Sequence, residues 1–353
     1  MANPIDCCLR LLRALGLALV LLPVMAAHAQ ETLRVLAWPG YADPDLVSSF
    51  EQLTSSKVEV TFIDSDDVMW QKLTKNNATD FDLVALNTAE LQRYIKAGLV
   101  VPLSTAEIPN TATQLPRFRD LTRIPGLVHD GRVFAIPYTY AEMGLIYDRQ
   151  QVRLAPTSIH ALWDPHYRGK VLLYNGSSHN FSLAAQVLGN PKPFHIAAKD
   201  WPAAVDALIA LRRNAQGFYT QPEESVEMFK SGHSALMFAN YGSQQVQLLR
   251  QAGIDAGYVV PKEGALAWLD CWAITRGAKN TKLAHAWINF FLEPEAGNAL
   301  LSRQGLANTT SQSLSLRAQD RLVWLEPVEN VDHRTLLWER ILAGDRAARV
   351  LAP

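Results

Sequence analysis

Residues 261–274 read PKEGALAWLDCWAI, which sets Trp268, Asp270 and Trp272 at alternate positions of an apolar run. Alternate residues of a strand share a face, so Trp268 and Asp270 point together while Leu269 and Cys271 point the other way. An ionised carboxylate is costly to bury without a partner. A ring and an anion on one face suit an alkylammonium: the anion offers a charge-assisted hydrogen bond worth roughly 1.5–3 kcal/mol, and an aromatic face adds about 0.5–2 kcal/mol by cation–π attraction. The competing role for Asp270 is structural, capping a turn or pairing with a Lys or Arg. Trp272 lies deeper in the run and is expected to pack in the core.

Other chemistries find little support. There is no HExxH helix for zinc, no GxSxG elbow and no Gly-rich phosphate loop. Ser177 and Ser178 precede His179 in NGSSHN, but adjacency in sequence is not a triad. Tyr138, Tyr140 and Tyr241 would interest a ferric ion only if the fold brought them together. The expectation is no catalytic residue, no metal and no cofactor, with a secreted hydrolase of unfamiliar constellation as the remote alternative.

The elements that must hold these residues alternate. ETLRVLAW, KVEVTFI and FDLVAL have strand character, and DLVSSFEQL, DDVMWQKL and TAELQRYIKAG follow them with helical periodicity. This is the pattern of a mostly parallel sheet covered on both faces. RVFAIPYTYAEMGLIYDRQQV is a long extended passage able to cross between two lobes. A second α/β unit follows, with GKVLLY and HSALMFANY as strands and HNFSLAAQVLG, DWPAAVDALIALRRNA and SVEMFKSG as helices. AHAWINFFLEPEAGNALLSRQG adds a further helical pattern. In open α/β sheets, ligands bind beyond the carboxyl ends of strands, where the chain places Trp38 and Tyr41, Asn87, and Asn175 with His179 nearby.

A length of 353 residues suggests two lobes. Hydrophobic residues at 48% and charged residues at 19% describe a chain that folds almost throughout. With 33 Lys+Arg against 34 Asp+Glu there is no electrostatic footprint for nucleic acid. Arg334, Arg340, Arg346 and Arg349 sit in an amphipathic pattern and are expected on a solvated helix face. Arg303 could meet a ligand anion, although a surface position suits it better. Residues 1–29 carry Arg10 and Arg13, an apolar stretch and Ala27-His28-Ala29, the layout of a secretory signal peptide cleaved after Ala29. Cleavage would remove Cys7 and Cys8 and leave Cys271 alone, without a disulfide partner.

Taken in order, LAWPGYADPDLVSSFE, DSDDVMWQKL, FDLVAL, FAIPYTY, LWDPHYRGKVLL, PKEGALAWLDCWAI and AWINFFLEPEAG resemble the periplasmic spermidine/putrescine-binding proteins, which are receptors of ATP-driven (ABC) importers. The resemblance implies an α/β, two-lobed type II periplasmic binding fold. Each lobe would be a mixed, mostly parallel sheet flanked by helices, with two hinge crossings near Tyr138–Tyr140 and Trp268–Asp270. It implies lobe 1 over 30–139 plus 271–307 and lobe 2 over 140–270 plus 308–353. It further implies that Trp38, Tyr41, Trp268 and Asp270 enclose an amine, with Asn87, Asn175 and His179 as polar contacts. The expected partners are that ligand and an inner-membrane permease, the expected state a periplasmic monomer. The chain departs from the family at YNGSSHNF, which lacks the second-lobe carboxylates that would hold a further amino group. The aromatic residue expected soon after FDLVAL is also missing. A polyamine therefore competes with an ω-amino acid, a betaine or an opine-like compound.

Overall fold

A computed structural model describes residues 30–313, 315–317 and 319–352. The expected signal peptide and its cleavage site lie outside the described residues. Strands β1 (Thr32–Ala37), β2 (Lys57–Phe62) and β3 (Leu83–Asn87) alternate with helices Pro44–Thr54, Asp66–Lys75 and Thr88–Lys96. β1 pairs in parallel with both of its neighbours. The second and third helices begin at side-chain caps: Ser65 Oγ accepts from Val68 N, and Asn87 Oδ1 accepts from Glu90 N. Both starts follow the carboxyl ends of strands.

A small hairpin, β4 (Val128–His129) and β5 (Arg132–Val133), leads into β6 (Ala135–Met143). The smaller sheet is then built from β7 (Leu145–Asp148), β8 (Val171–Tyr174), β9 (Ala215–Tyr219), β10 (Leu236–Phe238) and β11 (Ala256–Val259). The chain returns through β12 (Ala265–Ile274), β13 (Ala307–Asn308) and β14 (Leu322–Trp324). The larger sheet has the order β13-β6-β12-β3-β1-β2 with β14 beside β12, and the smaller β11-β7-β10-β8-β9. Both are mixed. β8 runs parallel to β9 and β10, as β1 does to β2 and β3, whereas β12 is antiparallel to β3 and β6, and β7 to β10 and β11.

The chain changes sheet at Gly144, between β6 and β7, and again between Val259 and Ala265. The residues expected at the crossings, Tyr138–Tyr140 and Trp268–Asp270, lie within β6 and β12, on the larger-sheet side of both passages. Gly144 is where the two passages touch: a Cβ there would come within 2.5 Å of the Tyr258 hydroxyl and the Val259 carbonyl oxygen. Only glycine permits that approach.

Two local expectations need correction, and one strand was not anticipated. AHAWINFFLEPEAGNALLSRQG forms two helices, Thr281–Phe290 and Pro294–Gln304, because Pro294 cannot donate within a helix and instead opens the second one. Strand β9 arises from AQGFY, whose Gln and Gly gave no strand signal. Arg334 is not solvated. It is fully buried, on the same helix face as Leu337, Trp338 and Ile341 by the spacing i, i+3, i+4, i+7. Its Nε and Nη2 donate to the two oxygens of Glu329 at 2.8 Å each, and its remaining N–H groups reach Ser178 O, Ser182 Oγ and Phe194 O.

Each face of the larger sheet carries its own core. Trp272 is fully buried as expected, with its ring 5.5 Å from that of Tyr138 and 5.8 Å from those of Trp287 and Phe291. Among the described residues no helix is long and apolar enough to cross a membrane.

Candidate functional site

The site begins with an irregularity in β6. Asp270 opposes Thr139, but Cys271 opposes Pro137, so Tyr138 is an extra residue in the ladder. Proline cannot donate to a ladder and is tolerated inside a sheet at such a bulge. Side-chain alternation flips across it. Ile136, Tyr138 and Ala141 pack in one core and Ala135 and Tyr140 in the core on the other face. Tyr138 and Tyr140 therefore point away from each other, while Tyr241 packs against the smaller sheet. The three tyrosines do not converge on a ferric ion.

On β12, Trp268 and Trp272 share one face, and Leu269 and Cys271 pack on the other. Tyr41, four residues past the end of β1, donates from its hydroxyl to Asp270 Oδ2 at 2.6 Å, and its ring meets that of Tyr138 edge-on at 5.4 Å. Asp270 is buried, and among the described residues no Lys or Arg forms an ion pair with it. Burial pushes its carboxyl up to about 7, against the hydrogen bond from Tyr41, which pulls it down. Trp268 packs against the cores of both sheets, and its Nε1 donates to Asn240 O, just after β10 of the smaller sheet, at 3.1 Å. Trp38 packs beside Tyr41 and against the core on the opposite face.

A cavity of about 830 Å³ opens between the two halves of the molecule. Asp66, Asn87, Glu90 and Arg93 line it from the larger sheet's helices, and Ser178, His179 and Phe194 from the smaller sheet's side. Of the residues expected at the site, Asn87 and His179 line this cavity, whereas Trp38, Tyr41, Trp268 and Asp270 form the packed cluster described above and Asn175 lies outside both. The side chain of Asn175 accepts from Trp338 Nε1 at 3.0 Å. Asn87 spends its Oδ1 on the helix cap. His179 meets Tyr174 edge-on at 5.3 Å. Burial, and then the charge of Arg334, pull its imidazole down to about 4, so it is neutral near pH 7.

Sequence reasoning missed Asp66. It sits in an acidic run, DSDD, that reads as an ordinary helix start. The signal that could have found it is redundancy: Ser65 already caps the helix and Asp67 already places an exposed acid in the first turn. Burial pushes the Asp66 carboxyl up to about 7, assisted by the charges of Glu90 and Asp270 and opposed by Arg93.

The elevated carboxyls have a consequence for stability. Asp66 and Asp270, and the buried Glu142 near the crossing at Gly144, titrate near 7 when folded and near 4 when unfolded. The folded state holds these protons more tightly, so the stability they contribute is complete below about pH 4 and lost as pH rises through about 7. The Tm of the free protein should fall between pH 5 and pH 8 in scanning calorimetry, with a smaller slope in Asp270→Asn. An equal slope in the two proteins would contradict the assignment of a raised carboxyl to Asp270.

A profile of the family described as bacterial extracellular solute-binding protein matches residues 45–320. The chain is 28% identical over 285 residues to the putrescine-binding periplasmic protein PotF of Escherichia coli, covering 76% of this chain and 75% of that relative. It is 22% identical over 352 residues to a putrescine/agmatine-binding protein of Pseudomonas aeruginosa, covering 90% and 93%. Among solved structures, the spermidine/putrescine transporter substrate-binding protein PotD of Streptococcus pneumoniae superposes with a TM-score of 0.73 at 23% identity, covering 91% of this chain and 99% of that one. The binding protein MotA of A. tumefaciens, solved with glucopine, gives a TM-score of 0.61 at 16% identity, covering 79% and 84%. These two likenesses concern the fold, which is the expected two-lobed α/β binding fold. The profile match spans well over half of the chain, and the protein therefore belongs to the bacterial extracellular solute-binding protein family.

Proposed function

We propose that the chain is the periplasmic receptor of an ABC importer and captures a polyamine such as putrescine or spermidine between two hinged lobes. The hinge lies where the chain changes sheet, at Gly144 and between Val259 and Ala265. The observation that carries the reading is Asp270: a buried carboxylate held by Tyr41, against whose core cluster Trp38 and Trp268 also pack, with no Lys or Arg in an ion pair with it among the described residues. Such a group is poorly satisfied alone and well satisfied by an ammonium whose methylene stem lies along the rings. The names of the relatives support the same ligand class, and their periplasmic location supports export by the signal peptide with cleavage after Ala29. No reaction is required of the site. The receptor works as a monomer and hands its ligand to a membrane permease.

Closure follows from differential contact. Trp268 reaches Asn240, Ser243 Oγ reaches Gly305 O at 2.6 Å, and Gln247 Nε2 reaches Ser302 O at 3.2 Å, all joining helices and strands of the two sheets. A ligand that touches both sides adds to these contacts only in the closed form and shifts the population toward it.

The loop Asn175–His179 carries no acid, which favours a second reading, an ω-amino acid, betaine or opine-like solute. Thermal-shift measurement against putrescine, spermidine, γ-aminobutyrate and glycine betaine separates the two. A ligand at about 100 times its Kd stabilises by about 2.7 kcal/mol. A Tm rise with the polyamines is expected, and a rise confined to the carboxylate-bearing amines would overturn the polyamine reading.

A further inference from the structure

Asp66 is the first residue of helix Asp66–Lys75 and lines the cavity beside Glu90 and Arg93. Its Oδ1 is buried and has no hydrogen-bond partner. Of the two other acids that line the cavity, Glu90 and Glu326, Glu90 is already compensated: it pairs with Arg93, whose guanidinium lies 4.1 Å over the Trp70 ring. No Lys or Arg forms an ion pair with Asp66 among the described residues. Nor is its carboxylate needed by the helix, which Ser65 caps.

Across the cavity, among the described residues, the smaller-sheet side is lined by no Lys or Arg. Arg334 has every N–H bonded to protein oxygens, and His179 is neutral near pH 7. Tyr174 is near enough for the charge of Asp66 to help hold its phenol protonated, after burial. A neutral imidazole and phenol rings can cover a cation without repelling it. On the larger-sheet side, Asp66 and Asp270 are near enough to feel each other's charge. Two acids on one lobe, the buried Asp270 and Asp66 with its buried Oδ1, neither in an ion pair with a Lys or Arg among the described residues, call for two positive charges on one ligand.

Building on the polyamine reading above, we propose that Asp66 is a second ammonium-binding residue: Asp270, within its aromatic cluster, holds one end of an α,ω-diamine and Asp66, at the cavity wall, holds the other. Both anions then come from the same lobe. The loop Asn175–His179 needs no carboxylate, because the smaller-sheet lobe serves as a neutral cover. The same arrangement rejects ω-amino acids, whose carboxylate would lie against Asp66 and Glu90.

Titration calorimetry with putrescine and with n-butylamine tests this on the wild type, Asp66→Asn and Asp270→Asn. The wild type should prefer putrescine by about tenfold or more, the effect of one charge-assisted contact. Asp66→Asn should erase most of that preference while leaving n-butylamine within about threefold of wild type, whereas Asp270→Asn should weaken both amines. The proposal falls if Asp66→Asn binds putrescine as the wild type does, or weakens the two amines equally. Should Asp66→Asn fold poorly, the two affinities of the wild type still decide the question. Equal affinity for the two amines would leave the amine-receptor reading standing and remove the role of Asp66, and binding of neither would remove both.

Discussion

Asp270→Asn should weaken putrescine binding by about 30- to 1000-fold, equivalent to roughly 2–4 kcal/mol, the range for removing one partner of a desolvated charge pair. Asparagine keeps the volume and can still accept the Tyr41 hydroxyl through its amide oxygen, so the packed cluster of Trp38, Tyr41 and Trp268 should survive. What is lost is the charge. The same substitution should raise the Tm of the free protein at pH 8, where the buried, unpaired carboxylate is ionised, and change it little at pH 5, where that carboxyl is protonated. A loss of affinity accompanied by a gain in free-state stability separates a ligand-binding carboxylate from a structural one, whose removal would lower both. Calorimetry and thermal melts at the two pH values measure the pair of effects. Unchanged affinity, or a Tm that falls at pH 8, would end the case for Asp270.

The parts of this molecule that were legible in its sequence are those governed by local periodicity. Alternation in LAWLDCWAI placed Trp268, Asp270 and Trp272 on one face, and the structure keeps them there. Strand and helix signals from Thr32 to Lys96 were equally direct, because each of those helices packs one stripe against one sheet. Tertiary constraints were less visible. The bulge at Tyr138, and with it the reversal of Tyr138 against Tyr140, depends on where β12 lies. Asp66 looks like any acid in a helix's first turn until the cavity beside it is known. Asn175 stands after a strand end where a ligand contact was reasonable, yet Trp338, 163 residues further on, takes its side-chain oxygen. Charge type misled at Arg334, where the helical spacing with Leu337 and Ile341 was the better guide.

Arg334 supports the second large effect. Arg334→Met should destabilise the protein by about 3 kcal/mol in urea denaturation, near the low end for breaking a buried ion pair because the Glu329 side chain keeps 23% exposure. Methionine fills much of the space but leaves Glu329 without its bidentate partner and withdraws the donors from Ser178 O and Phe194 O. Ser178 is in the first turn of helix Ser177–Val187, next to His179, and both line the cavity. Loss of the anchor should therefore also loosen the neutral cover over the ligand, and amine affinity should fall about three- to tenfold even though Arg334 touches no ligand, the amount expected for one neutral contact misplaced. Arg334→Met combined with Glu329→Gln removes the orphaned charge and should recover about half of the lost stability, since the penalty for breaking such a pair lies largely in the ion left behind. Recovery of stability without recovery of affinity would assign Arg334 to positioning the Ser178–His179 turn. A double variant as unstable as the single one would instead place the cost in packing, and the ion pair would then have no share in holding that wall.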